Sequence, residues 1–147
     1  MIAFKPLKSA GGSARREVHT LLRELSDSAA KKFSAPTLAR ALRDANTYIL
    51  TAHDGGAIVG TGTLIVMATA TGLRGRIEDV VVADSHRGQG IGRELMRRLI
   101  AEAMRRKLTQ VELTSAPARV AANHLYQSLG FALRETNVYK LVLPARK

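Results

Sequence analysis

The chain has 147 residues, 46% of them hydrophobic, which suits one domain with a real core and leaves no room for two of ordinary size. It holds no cysteine, which excludes disulfide frames, thiol nucleophiles and cysteine-ligated metals. His19, His53, His86 and His124 are scattered, so no metal is expected. Lys and Arg number 23 against 12 Asp and Glu, a formal net charge of +11; yet only three Tyr, three Phe and no Trp interleave with them, and no nucleic-acid partner is expected.

Residues 1–7 read as a first strand. Lys5, Pro6 and Lys8 interrupt any leader-like apolar run, so a cytoplasmic protein is expected. From Ser13, Val18, Leu21, Leu22 and Leu25 recur at helical spacing. A second helix starts at Ser34, with Pro36 in its first turn, and carries Leu38, Ala41 and Leu42 inward. Residues 48–53 form a strand, Asp54-Gly55-Gly56 a hairpin turn, and residues 57–68 the returning strand. Residues 55–73 run 19 positions without a charge, but Gly55, Gly56, Gly60, Gly62 and Gly72 punctuate them as a strand pair, not a membrane span. A short loop holding Gly72 and Gly75 leads to a strand over residues 76–83.

That strand, rich in valine, breaks into Arg87-Gly88-Gln89-Gly90-Ile91-Gly92 before a helix with Ile91, Leu95, Leu99 and Ala103 on one stripe. Glycines on alternate positions leave backbone N–H groups uncovered at the N-terminus of that helix, and Arg87 adds a fixed charge. A diphosphate is the ligand this arrangement suits best. Glu112, twenty residues past Gly92, invites a dinucleotide-fold reading. Against it, the glycines are not spaced Gly-x-Gly-x-x-Gly, and only 55 residues remain after Gly92. A strand over residues 110–115, a helix over residues 119–129 stopped by Gly130, and two strand segments over residues 131–143 complete the chain.

The spacing Arg87-x-x-Gly90-x-Gly92 after a valine-rich strand resembles the acetyl-CoA-binding motif of the GNAT N-acetyltransferases. Asn123-His-Leu-Tyr126-Gln-Ser-Leu-Gly130-Phe131 is similar to that family's Leu-Tyr-x-x-x-Gly-Phe signature. The resemblance implies one N-acetyltransferase domain over residues 1–147. Its fold is a mixed α/β domain in the order β-α-α-β-β-β-α-β-α-β-β, with a central, mostly antiparallel sheet flanked by helices. It implies acetyl-CoA as cofactor, with Arg87 and the backbone of Gly88, Gln89, Gly90, Ile91 and Gly92 holding the pyrophosphate. The main chain of Val80, Val81 and Val82 would lie along the pantetheine arm. Arg119 stands where many members carry a cofactor-contacting Asn, and the nearest amide is Asn123.

A protonated alkylamine must lose a proton before it attacks. Glu78, on the strand leading to the thioester, is the expected base, with Asp79 facing oppositely unless a bulge turns it. Tyr126 is expected to serve the departing sulfur and to line the cofactor site. The resemblance implies acetyl transfer directly to a primary amine of a small molecule, aminosugar- or aminophosphonate-like, by a homodimer. Peptide acetylation and non-catalytic acyl-CoA sensing are the alternatives.

Overall fold

The computed structural model describes residues 1–145; Arg146 and Lys147, at the end of the expected 1–147 domain, lie outside them. The chain divides into two compact units, Met1–Thr114 and a second from Ser115 onward.

In the first unit, strand β1 (Ile2–Pro6) is followed by helices α1 (Gly12–Leu25), α2 (Asp27–Lys32) and α3 (Ala35–Arg43). Strands β2 (Thr47–Asp54), β3 (Ala57–Thr69) and β4 (Gly72–Val82) come next, then a short 3-10 turn at Asp84–His86, helix α4 (Ile91–Arg105) and strand β5 (Val111–Glu112). The five strands lie in the order β1-β2-β3-β4-β5. All pairs are antiparallel except β4 with β5, which is parallel, so the sheet is mixed and mostly antiparallel as expected.

Local chemistry explains the helix starts. Ser34 caps α3 by accepting a bond from the Thr37 N–H at 3.2 Å, with proline in the first turn. Ser26 does the same for α2 through Ala29 N–H at 3.0 Å. Helix α2 was not expected, because its six residues are too few to show an apolar period; Ser26-Asp27 was its one signal.

The core lies on both faces of the sheet. On one, α4 buries Ile91, Leu95, Met96, Leu99 and Ala103. Small residues on β3 let that helix approach: a Cβ on Gly62 would stand 2.9 Å from Leu99 Cδ1, and one on Gly60 3.2 Å from Leu95 Cδ1. On the other face, α1 packs Val18 and Leu21 against Ile58 and Val81. Each side chain of this size contributes roughly 1.5–3 kcal/mol by leaving water.

Three expectations need correction. Gly72 and Gly75 belong to β4, not to a loop before it. Gly75 sits in the sheet because Leu108, Val111 and Leu64 press on the space where a side chain would stand. The strand expected over residues 110–115 pairs only at Val111 and Glu112. In the second unit, helix α5 (Val120–Ser128) forms as expected, but none of the described residues after it lies in a strand. There the apolar pattern of residues 131–143 meets water instead of a pairing strand, with Leu133 91% and Tyr139 88% exposed.

Candidate functional site

Strand β4 has one paired and one partly free edge. Its pairing with β3 continues to Gly60 opposite Val82, whereas β5 pairs only at Gly75↔Val111 and Arg76↔Glu112. From residue 77 to 82 that second edge therefore carries no strand among the described residues. Ala83 N–H donates to Val59 C=O at 2.8 Å, which makes Val82 and Gly60 a non-hydrogen-bonded pair. Val82 thus turns its own N–H and C=O to the free edge, while Val81 turns its main chain to Thr61. Arg87 Nε, bonding Val82 C=O at 3.2 Å, marks the same edge.

Between Val81 and Glu78 the ladder slips. Val81 faces Thr61 and Glu78 faces Thr63, so Gly62 alone opposes both Asp79 and Val80. This is a β-bulge, and Asp79 adopts φ 53°, a left-handed conformation that a non-glycine residue holds only when its surroundings enforce it. The bulge resets the alternation: Val81 joins the α1 cluster, and Val80 lies 3.3 Å from the space above Gly62 on the α4 side.

The two carboxylates at the bulge differ. Glu78 is ion-paired with Arg76 Nε, and Arg76 Nη2 also donates to Thr114 Oγ1 at 3.2 Å. Asp79 is open to solvent at its surface, yet desolvation by the surrounding protein raises its pKa. The neighbouring Glu78 charge pushes the same way, and Lys32 opposes both.

Beyond β4 the chain is tied down at both sides of the turn. Asp84 N–H donates to Glu24 Oε2 at 3.1 Å, and His86 Nε2 lies 2.9 Å from Asp54 Oδ2. Gly88 and Gly90 then take φ 77° and 80°. A Cβ at either would meet nothing within 4 Å among the described residues, so conformation, not crowding, demands glycine, and the described residues leave the space above the turn open. Gly90 is the N-cap of α4 and no side chain among the described residues caps the helix, which leaves the first-turn N–H groups, including those of Ile91 and Gly92, facing outward. Arg87 is held by Asp84 at 2.8 Å, an exposed pair worth at most about 1 kcal/mol and readily exchanged for a phosphate oxygen. These groups fit a diphosphate followed by an extended amide-bearing arm: anion donors at the turn, then a free strand edge. Among the described residues no cluster of His, Cys, Asp and Glu could hold a metal, and no helix is long and apolar enough to cross a membrane.

In the second unit, Tyr126 is buried and meets Phe131 edge to face with ring centroids 6.1 Å apart. Asn123 Nδ2 donates to Ala116 C=O at 3.0 Å and Arg119 C=O at 2.8 Å, so its amide hydrogens stitch the start of α5, and only Oδ1 remains for a ligand. Arg119 is the N-cap residue. The residues from Glu78 to Gly92 are brought together on one strand, turn and helix; Asn123 and Tyr126 belong to the other unit. Two features had no sequence signal: the bulge, and Arg74, whose Nε is buried without a hydrogen-bond partner among the described residues.

Comparison with known proteins agrees with this geometry. A streptothricin acetyltransferase from Streptomyces lavendulae is 36% identical over 89 residues, covering 60% of this chain and 46% of that protein, so the chain matches less than half the length of this relative. An aminoglycoside acetyltransferase from an uncultured soil metagenomic sample shares the fold with a TM-score of 0.82 at 19% identity, covering 98% of this chain and 97% of its own. Glucosamine-6-phosphate N-acetyltransferase from Arabidopsis thaliana does so with a TM-score of 0.74 at 21% identity, over 96% and 98%. The model of the acetyltransferase (GNAT) family matches residues 16–131, a span that holds the strand, the bulge, the glycine turn and the Tyr126 motif alike, and it is to this family that the chain belongs.

Proposed function

We propose that the chain, acting as one domain over residues 1–147, transfers the acetyl group of acetyl-CoA directly to the primary amine of a small aminosugar- or aminophosphonate-like molecule. One observation carries the reading: the free edge of β4 runs straight into a glycine turn whose open space and uncapped helix amides suit a diphosphate. When bound, the cofactor supplies an activated thioester.

The residues of the chain do the rest. The outward N–H of Val82 is positioned to donate along the free edge, where a main-chain donor next to a polarised carbonyl acts as an oxyanion hole. An amine of ordinary basicity is protonated at pH 7, and baring its lone pair costs about 5 kcal/mol. The proton goes to the carboxylates at the bulge, Glu78 and Asp79. Asp79 has a raised pKa, from desolvation first and the Glu78 charge second, which favours its taking up a proton. Tyr126 is assigned the proton for the departing sulfur on the strength of its motif. The exposed apolar run of Leu133, Val138, Tyr139, Leu141, Val142 and Leu143 supports self-association as a homodimer.

The test is calorimetric titration with acetyl-CoA of the wild type and of Gly90→Glu, which sets a carboxylate in the open turn. Binding by the first and not by the second, followed by thiol release with an amine panel, is the expected outcome. A folded wild type that does not bind sinks the reading.

A further inference from the structure

The half-exposed face of β3 and β4 turned away from α4 carries a strip of paired residues: Thr63 opposite Glu78, Ile65 opposite Arg76, Met67 opposite Arg74. Directly opposed residues of an antiparallel pair share a face. The α4-side face is fixed by Gly62 and Gly75, whose Cβ atoms would run into Leu99 and Leu108.

On this strip the charges do not balance. Arg76 is compensated, its Nε by Glu78 and its Nη2 by Thr114. Arg74 is not: its Nε is buried and has no hydrogen-bond partner among the described residues. A buried N–H with no acceptor is unfavourable, and for a charged group more so than for a neutral one. A guanidinium kept in that state on a strand, at the position opposite Met67, is set up for an acceptor that the described residues do not provide. Two guanidiniums and one carboxylate in a row leave the strip positive, and a chain of formal charge +11 reinforces that sign.

We infer that Arg74, with Arg76 beside it, is the subsite for an oxyanion carried by the amine acceptor. This rests on the reading of the chain as an amine acetyltransferase, and it narrows the substrate class. Along one strand face Arg74 and the carboxylate of Glu78 are four residues apart, about 13 Å of backbone, which the length of the arginine side chain shortens. The acceptor is a compact zwitterion, with its amine at the Glu78–Asp79 bulge and a phosphate or phosphonate group several bonds away on Arg74. A guanidinium takes such a group in a planar, two-pronged contact that a lysine cannot reproduce. A polycation such as an aminoglycoside meets repulsion on the same strip.

The test uses inorganic phosphate as the probe, followed by the methyl resonance of Met67 and by calorimetry in buffer of fixed ionic strength. The full chain is compared with Arg74→Met and Arg74→Lys, and with Arg15→Met on the exposed face of α1 as a matched loss of charge. Phosphate should shift the Met67 signal in the wild type, bind at least tenfold more weakly to Arg74→Met, and be only partly restored by Arg74→Lys. Arg15→Met should behave as wild type. In turnover, Arg74→Met should raise KM for an aminoalkylphosphonate at least tenfold and leave KM for an alkylamine of similar length without an anionic group unchanged. An equal phosphate affinity in wild type and a folded Arg74→Met overturns the subsite, as does an aminoglycoside turning over faster than every anionic amine. Failure of the acetyltransferase reading looks different: no acetyl-CoA binding and no thiol release in any variant, with the phosphate titration still deciding the role of Arg74.

Discussion

Arg76 and Glu78 stand two residues apart on one face of β4, and the guanidinium of the first is ion-paired with the carboxylate of the second. That pair leaves the next residue, Asp79, beside a fixed negative charge, on a left-handed bulge, with a pKa above the usual aspartate value. Desolvation by the surrounding protein is the larger cause of that rise, and the Glu78 charge adds to it. A base must be deprotonated to work, so kcat/KM should fall as pH drops through the raised pKa of Asp79. Glu78→Gln removes the charge that helps to raise it, so the acidic limb should move to lower pH, with turnover down by about tenfold or less. Asp79→Asn should cost about 10²- to 10⁴-fold in kcat, the range for loss of a general base. An acidic limb that does not move in Glu78→Gln would separate the two carboxylates.

Much of this site was readable in the sequence because it is local. The turn Arg87–Gly92 announces itself by glycine spacing, and the helix after it by the Ile91-Leu95-Leu99-Ala103 stripe, both properties of contiguous residues. The bulge at Asp79 was not readable: it depends on register against Thr61 and Thr63, well upstream on the neighbouring strand, and no residue type at the bulge signals it. Glycine misled in one place for the same reason. At Gly72 and Gly75 it looked like loop chemistry, whereas Gly75 is there because three side chains crowd it. The alternating apolar residues after Gly130 mark strand propensity, but a strand needs a neighbour, and pattern alone does not provide one.

Gly75 makes that crowding measurable. A Cβ there would approach Leu108 Cδ1 to 2.8 Å, Val111 Cγ1 to 2.9 Å and Leu64 Cδ1 to 3.1 Å. Gly75→Ala should destabilise the fold by about 1–3 kcal/mol, the usual cost of overpacking. Gly56→Ala, with nothing within 4 Å, is the control and should change little. Urea unfolding gives both numbers, and equal midpoints would mean that Leu108 and Val111 yield without cost.

Tyr126→Phe keeps the ring that packs on Phe131 and removes only the hydroxyl. Turnover should drop by about ten- to a thousandfold while acetyl-CoA affinity stays within about twofold, since a proton donor to the leaving group acts on the chemical step. Unchanged turnover removes Tyr126 from the mechanism and leaves it a packing residue.

Self-association through the C-terminal run should be sensitive to charge. Tyr139 and Leu141, 88% and 83% exposed, are apolar groups that a monomer would leave in water. Replacing both with lysine should shift sedimentation from dimer to monomer without altering the circular dichroism. A wild type that sediments as a monomer at all concentrations ends the homodimer proposal.

Glu102 sets the stability of the far end of α4. Its Oε1 accepts from Arg105 at 2.5 Å and Arg106 at 2.9 Å, and Arg106 in turn bonds Ala45 C=O at 2.9 Å and lies 5.6 Å from the centre of the Tyr48 ring. The hydrogen bond from Arg105, and then that from Arg106, lower the Glu102 pKa from 4.5 to about 2 against the opposing effect of burial. A carboxyl depressed in the folded state contributes stability above its unfolded pKa and loses it as pH falls toward the folded one. Stability from this clamp should therefore be complete above about pH 5 and decline from there to about pH 2. Because both arginines reach solvent, the contribution is nearer 1 kcal/mol than the full shift implies. Glu102→Gln should be less stable than wild type at pH 7 by about that amount, and the gap should narrow on acidification. A gap that stays constant from pH 7 to pH 2.5 would assign the loss to packing of the side chain and not to its charge.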